Sequence, residues 1–166
     1  MPKSDQGVRP GRFQVIPRTL IFITNGDSIL LMKGSPKKRL WANRYNGIGG
    51  HIERGEDILS AARRELLEET GLQTTQLWLV GTVMVDAGED TGIAIFIFRG
   101  LYERGELQAS TEGDLEWVDQ ANLNAYPLVE DLPVMLPVIL GLKPGKPPFA
   151  ARYDYNDQDQ LRIRFG

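Results

Sequence analysis

The 166-residue chain contains no cysteine. That excludes a disulfide framework and a zinc–thiolate site, and leaves stability to packing. No apolar run approaches the roughly 20 residues of a membrane span, and the first residues lack the apolar core of a signal peptide. A cytoplasmic location with no membrane partner is the resulting expectation. Charge of either sign is scarce as a net quantity, at −3. A protein that coats a nucleic-acid polymer needs a broad basic surface, so that class is disfavoured. The same balance means that an anionic ligand is attracted by local cations and not by overall charge. There is a single histidine, His51, and a lone histidine is ordinarily structural or exposed. What remains is ordinary for a globular domain, with 42% hydrophobic and 25% charged residues. A chain of this length fits one domain and buries about two-thirds of its unfolded surface.

The informative stretch is residues 50–72, GHIERGEDILSAARRELLEETGL. Gly71 stands where a helix ends, because glycine takes the left-handed conformation that satisfies orphan carbonyls. Glu56 and Asp57 stand where it begins, with carboxylates available to free N–H groups and to the positive end of the dipole. The expected helix is therefore Ile58–Thr70. At about 100° per residue, Leu59, Ala62 and Leu66 share a core-facing stripe, and Glu65, Glu68 and Glu69 crowd one side beside it. Like charges at that spacing repel, and Arg64 pairs with Glu68 one turn on but does not neutralise three acids. Clustered hard oxygen donors are what Mg²⁺ prefers, usually sharing it with waters and substrate phosphates. A solvated acidic helix face is the alternative reading of such a run.

Position by position the stretch reads Gly50, Glu56, Arg64, Glu65, Leu66, Glu68, Glu69, Gly71 and Leu72, and in that spacing it resembles the Nudix box without departure. The resemblance implies an α+β fold, the α/β/α sandwich with a mixed sheet, over residues 15–142. A flexible tail at 1–14 and a C-terminal extension at 143–166 packed on the domain flank it. It implies hydrolysis of a nucleoside diphosphate linked to another group, with Mg²⁺, or Mn²⁺ in its place, as cofactor. Glu65, Glu68 and Glu69 become metal ligands together with the Gly49 carbonyl. Arg64 orients a catalytic glutamate, and Glu56 supports the site from behind. The general base is left between Glu65 and a downstream acid. Glu112 is the downstream acid chosen to complete the metal site, with Glu116 nearby.

Around the box the chain reads as strands. Asn25-Gly26-Asp27 between apolar runs is a hairpin signal. Lys33 ends the second strand, as an edge-strand lysine or as a phosphate contact. Residues 36–44 form a basic loop, either solvated or attractive to phosphate, with Trp41 and Tyr45 expected to pack it. Asn46-Gly47-Ile48-Gly49-Gly50-His51 then lets the backbone approach a ligand closely. His51 is a candidate phosphate contact. Residues 74–86 and 92–99 are expected strands, as is 115–118. Residues 128–142 form an expected second helix capped by Asp131, with Pro133 in its first turn and Pro137 kinking or breaking it. After a Pro/Gly linker, LRIRF alternates as a last strand.

Asn46-Gly47-Ile48-Gly49-Gly50 looks like the corresponding segment of MutT-like oxidised-purine nucleoside triphosphatases. There the asparagine reads the base, assisted by later acids for which Glu130 or Asp131 is the counterpart. Asn46 capping the glycine turn is the structural alternative. The expected activity is nucleoside triphosphate pyrophosphohydrolysis to NMP and pyrophosphate, with 8-oxo-dGTP or another altered nucleotide as substrate. The alternatives are a Nudix hydrolase of a nucleotide sugar or ADP-ribose, and a nucleotide-sensing module without catalysis. The partner is a small-molecule nucleotide, with Gly50 among its contacts, and a homodimer is left open.

Overall fold

The structure is a computed structural model that describes residue 7 and residues 11–37 and 40–166. Most of the expected N-terminal tail, and Lys38 and Arg39 of the basic loop, lie outside the described residues.

Eight strands form one mixed sheet. The Asn-Gly-Asp signal acts as expected: β1 (Gln14–Asn25) turns at Gly26 into β2 (Ser28–Gly34). Only Thr24↔Ile29 and Asn25↔Ser28 pair before the two arms part. Beyond that point β1 runs parallel to β5 (Thr91–Leu101) from Gln14↔Thr91 to Thr24↔Leu101. β2 runs antiparallel to β6 (Gly113–Asp119) along its whole length. The glycine-rich segment fills the gap between the arms. Its two-residue strand β3 (Tyr45–Asn46) pairs with Met32 and Lys33 of β2. Ile48 and His51 then bridge to Ile21 and Arg18 of β1. The far side of the sheet continues from β5 to β4 (Leu77–Val85), β7 (Phe149–Tyr155) and β8 (Leu161–Phe165).

Alternation along the central strands sorts the core into two layers. Ile21, Ile23 and Leu30 face α1 (Ile58–Thr70), where they meet Ala62, Leu66 and Phe98. Phe22, Ile29 and Leu31 face the opposite way, toward Leu132, Met135, Leu136 and Ile139 of α2 (Leu132–Gly141). This is the expected α/β/α sandwich. Full burial of each such Leu, Ile or Phe contributes about 1.5–3 kcal/mol, so both helices are held mainly by the stripe they turn inward.

α1 occupies the span its sequence predicts. Asp57 accepts from the N–H groups of Leu59 (2.9 Å) and Ser60 (3.0 Å), and Gly71 closes the last turn at φ 76°. α2 departs from expectation in two ways. It begins at Leu132, because residues 127–129 are held extended against β3: Tyr45 N–H donates to Pro127 O at 2.9 Å and Val129 N–H to Tyr45 O at 3.0 Å. Asp131 is not a side-chain cap, since its backbone is already helical (φ −84°, ψ −27°) and its carboxylate makes no capping bond. Pro137 does not break the helix, whose C-terminal carbonyls at Leu140 and Leu142 are instead taken by Arg99 Nη1 from β5. Residues 143–166 add β7 beside β4 in parallel, and β8 beside β7. The last of these is the expected LRIRF strand, while β7 was not anticipated.

Candidate functional site

The site is built around one guanidinium. Arg64, on the solvent side of α1, holds Glu56 with two parallel bonds, Nε to Oε1 at 2.7 Å and Nη2 to Oε2 at 2.9 Å. Its Nη1 donates to Glu65 Oε1 at 2.9 Å and to Glu68 Oε2 at 3.0 Å. Nη2 also reaches the His51 carbonyl at 3.0 Å. The sequence pairs Arg64 with Glu68 only. The fold adds Glu56 and Glu65 because the turn before α1 folds back over its first turns, pinned by the Glu53 N–H on Glu56 Oε2 at 3.0 Å. The hydrogen bond to Glu56, then that to Glu65, raises the Arg64 pKa above its ordinary value. Arg64, followed by the Glu53 amide, holds Glu56 below the usual carboxylate range.

Glu65 is turned inward, at 9% exposure, with its carboxylate against the backbone of Gly50. A Cβ at position 50 would run into both oxygens of this carboxylate, so a larger residue there would have to displace Glu65. The Gly50 carbonyl is in turn tied to Thr19 N–H of β1 at 2.9 Å, and a Cβ at Gly49 would meet Thr19 O at 2.1 Å. The glycine loop is thus wedged between β1 and the carboxylate helix. Glu68 is exposed and Glu69 half-buried.

Among the described residues no group of three or more His, Asp or Glu side chains converges as a metal cage. Arg64 sits among three of the acids and draws one oxygen of Glu65 and one of Glu68 to itself. The donor set nevertheless suits Mg²⁺, which is commonly bound through one or two carboxylates, with waters and substrate phosphates completing its octahedron. Glu65, Glu68 and Glu69 supply hard oxygens on one helix side, and the backbone of Gly50 passes close to Glu65.

The other candidates are distributed around this centre. Glu112 lies exposed on the loop before β6, its carbonyl accepting from Ser35 N–H at 3.1 Å. The same loop packs on the end of α1 through Gln108 N–H to Thr70 O at 3.0 Å. Lys33, opposite Tyr45 in the sheet, places Nζ 6.0 Å from that ring's centroid. Asn46 Oδ1 accepts from Gly47 N–H at 2.8 Å, so this atom serves the glycine turn. His51 Nε2 faces the Arg18 guanidinium, at 3.1 Å from Nε and 2.8 Å from Nη2, and therefore acts as an acceptor.

Asp131 lies on the α2 face of the sheet, away from the carboxylate helix. Its Oδ2 accepts from the Tyr153 hydroxyl at 2.9 Å, and burial pushes its pKa above the usual carboxylate range. Burial likewise raises the Tyr153 hydroxyl. Tyr45 packs the loop as expected, at 7% exposure. Trp41 does not: its indole is half exposed, its backbone is left-handed at φ 57°, and only its carbonyl closes the loop, on Arg44 N–H at 3.1 Å. Sequence reasoning left Arg18 and Tyr153 without a role. Alternation in residues 149–155 is a signal for Tyr153, whereas Arg18 is marked only by its bridge to His51.

The chain is 37% identical over 102 residues to an oxidized purine nucleoside triphosphate hydrolase of Danio rerio, a match covering 61% of this chain and 64% of that protein. It therefore spans slightly less than two thirds of that relative. Against the protein of the same name from Mus musculus, identity is 30% over 144 residues, covering 86% and 88% of the two chains. The crystal structure of a MutT protein from Bacillus halodurans has the same fold, with a TM-score of 0.77 at 22% identity over 90% of this chain and 97% of that one. The NUDIX domain model matches residues 15–139, which contain every element of the carboxylate site. By its domain match and its mouse relative, this chain belongs to the Nudix family.

Proposed function

We propose that the protein is a Nudix hydrolase that cleaves a nucleoside triphosphate to NMP and pyrophosphate, with an oxidised purine nucleotide such as 8-oxo-dGTP as its substrate. The observation that carries the reading is the Arg64 network. One arginine organises Glu56, Glu65 and Glu68 beside a glycine loop, in a chain with relatives named for hydrolysis of oxidised purine nucleotides.

Glu65, Glu68 and Glu69, with the Gly49 carbonyl and Glu112, would hold Mg²⁺ or Mn²⁺. When bound, such an ion neutralises the diphosphate and lowers the pKa of a water. The protein's own groups do the rest. Arg64 fixes Glu65 and Glu68 by one oxygen each, while Glu56 and the His51 carbonyl keep Arg64 from swinging away. The proton of the attacking water passes to Glu65 or to Glu112 as general base. Lys33 and His51 contact phosphates, the Gly50 backbone lines their path, and the Asn46 amide with Asp131 reads the purine edge. The substrate is a free nucleotide. Among the described residues no helix is long and apolar enough to cross a membrane. A cytoplasmic location is part of the same proposal, and size-exclusion chromatography distinguishes a monomer from a homodimer.

A hydrolysis screen with Mg²⁺ over the four dNTPs, 8-oxo-dGTP, ADP-ribose, a dinucleoside polyphosphate and a nucleotide sugar tests this. Pyrophosphate released preferentially from 8-oxo-dGTP is the expected result. Cleavage of ADP-ribose or the sugar nucleotide alone overturns the substrate and keeps the chemistry, and no cleavage brings a sensing module forward. Glu69→Gln should lose most turnover while staying folded. Unchanged hydrolysis in that variant removes Glu69 from the metal site.

A further inference from the structure

We propose that Glu116 is a positioning residue for base selectivity: by accepting from the hydroxyls of Tyr45 and Tyr126 together, it locks strand β3, and with it Asn46, to the segment leading into α2. This rests on the function proposed above and deepens it.

The carboxylate of Glu116, half-buried on β6, accepts from Tyr45 at 2.6 Å through Oε2 and from Tyr126 at 3.1 Å through Oε1. The first distance is that of a charge-assisted O–H···O⁻ bond. The two rings meet edge to face, 5.1 Å between centroids at 87°. Each of the three residues belongs to a different element: Tyr45 to β3, Glu116 to β6, and Tyr126 to the end of the 3-10 turn Gln120–Ala125. Tyr45 also exchanges backbone bonds with Pro127 and Val129, and Arg44 Nη1 donates to Leu128 O at 3.1 Å. Glu116 therefore closes a ring of contacts whose backbone half is already made.

Packing does not ask for an acid here. On the same sheet face, its neighbour in the register Leu31 and the next inward residue Val118 are apolar and fully buried. A half-buried carboxylate is costly unless its acceptors are used. An aliphatic residue would satisfy the core but could not direct two hydroxyls. What the acid adds is orientation, and the residue it orients most tightly, Tyr45, immediately precedes Asn46. At the other end of the ring, Tyr126 stands five residues before Asp131. The clamp thus spans the interval between the two side chains assigned to the purine edge. Lys33 Nζ over the Tyr45 ring brings a phosphate-contact candidate onto the same anchored side chain.

The test compares kcat and KM for 8-oxo-dGTP and dGTP in the wild type, Glu116→Leu, Glu116→Gln and Tyr126→Phe, with a thermal melt of each. Glu116→Leu should lower the 8-oxo-dGTP to dGTP ratio of kcat/KM by about tenfold, mainly through KM. Glu116→Gln, which keeps one carbonyl acceptor, should recover part of that ratio. A purely structural role would lower the melting temperature and scale both substrates alike, and an unchanged ratio overturns the proposal whatever the melt shows. Should Glu116→Leu not fold, Tyr126→Phe, which deletes one hydroxyl, carries the same comparison. A wild type without base preference overturns the functional reading and this inference together. A wild-type preference that the variants retain overturns only the inference.

Discussion

A methyl group, the smallest side chain that can be added to Gly50, would need the space that the Glu65 carboxylate occupies. It would stand 2.4 Å from Glu65 Oε1, while the backbone that carries it is tied to β1 through Thr19. The flexible partner must yield, so Glu65 rotates and its place on Arg64 is lost. Gly50→Ala should reduce hydrolysis by about tenfold or more, with the far-ultraviolet circular dichroism of the wild type. Normal turnover would show that Glu65 is not needed in its present position. Asp131 gives a prediction of opposite character. Its folded-state pKa lies above the ordinary value, so the folded protein holds the proton more firmly than the unfolded chain. The associated stability is complete below about pH 4, the ordinary carboxylate range. It is lost as pH rises through the elevated folded value. Asp131→Asn cannot ionise and still accepts from Tyr153. Its urea midpoint should fall beside that of the wild type in acid and move above it toward neutrality. The proposed base-reading role of Asp131 rests on its motif position. That its carboxylate serves Tyr153 was not legible, because the partner lies 22 residues on.

At the scale of the element, α1 was legible throughout and α2 was not, and the difference is one of range. The start, stop and apolar stripe of α1 all depend on residues within the helix or next to it, Asp57 and Gly71 above all. The start of α2 depends on Tyr45, more than 80 residues earlier, which holds the preceding segment extended. Local signals cannot report such a contact. The carboxylates of α1 were legible too, but their arrangement about Arg64 required the turn that brings Glu56 back. Replacing Arg64 with Ala leaves Glu56, Glu65 and Glu68 without their shared cation. The variant should melt lower than the wild type, and the gap should narrow as salt is raised, because repulsion among partly exposed charges is screened. A gap independent of salt would mean that Arg64 acts by packing and not by charge.

For the whole molecule, the family match stops at residue 139 but the sheet does not. β7 pairs with β4 from Gly81↔Phe149 to Val85↔Tyr153, and Tyr153 is the donor that meets Asp131. The Pro/Gly linker at 143–148 marks a boundary in composition that is not a boundary in the core, and for that reason β7 was missed while the strongly alternating β8 was seen. A protein ending at residue 142 would expose an edge of β4 and leave a buried carboxylate without its hydroxyl. Unpaired edges of this kind recruit other chains, so the truncated form should elute as aggregate on size-exclusion chromatography where the full chain does not.

The glycine loop between the parted arms of the first hairpin has a consequence for motion. Three of its glycines fall within four residues, a composition that would suggest a flexible segment. Yet the Ile48 amide donates to Ile21 O, Ile21 and Thr19 amides donate back to Ile48 O and Gly50 O, and the Tyr45 amide is held by Pro127 O. To open, the loop would have to release two strands and the lead-in to α2 at once. Its Tyr45 and Ile48 amides should accordingly exchange with deuterium as slowly as those of the central strands, and far more slowly than those of the turn at 87–90, so that the loop beside the glutamates is anchored at these two points.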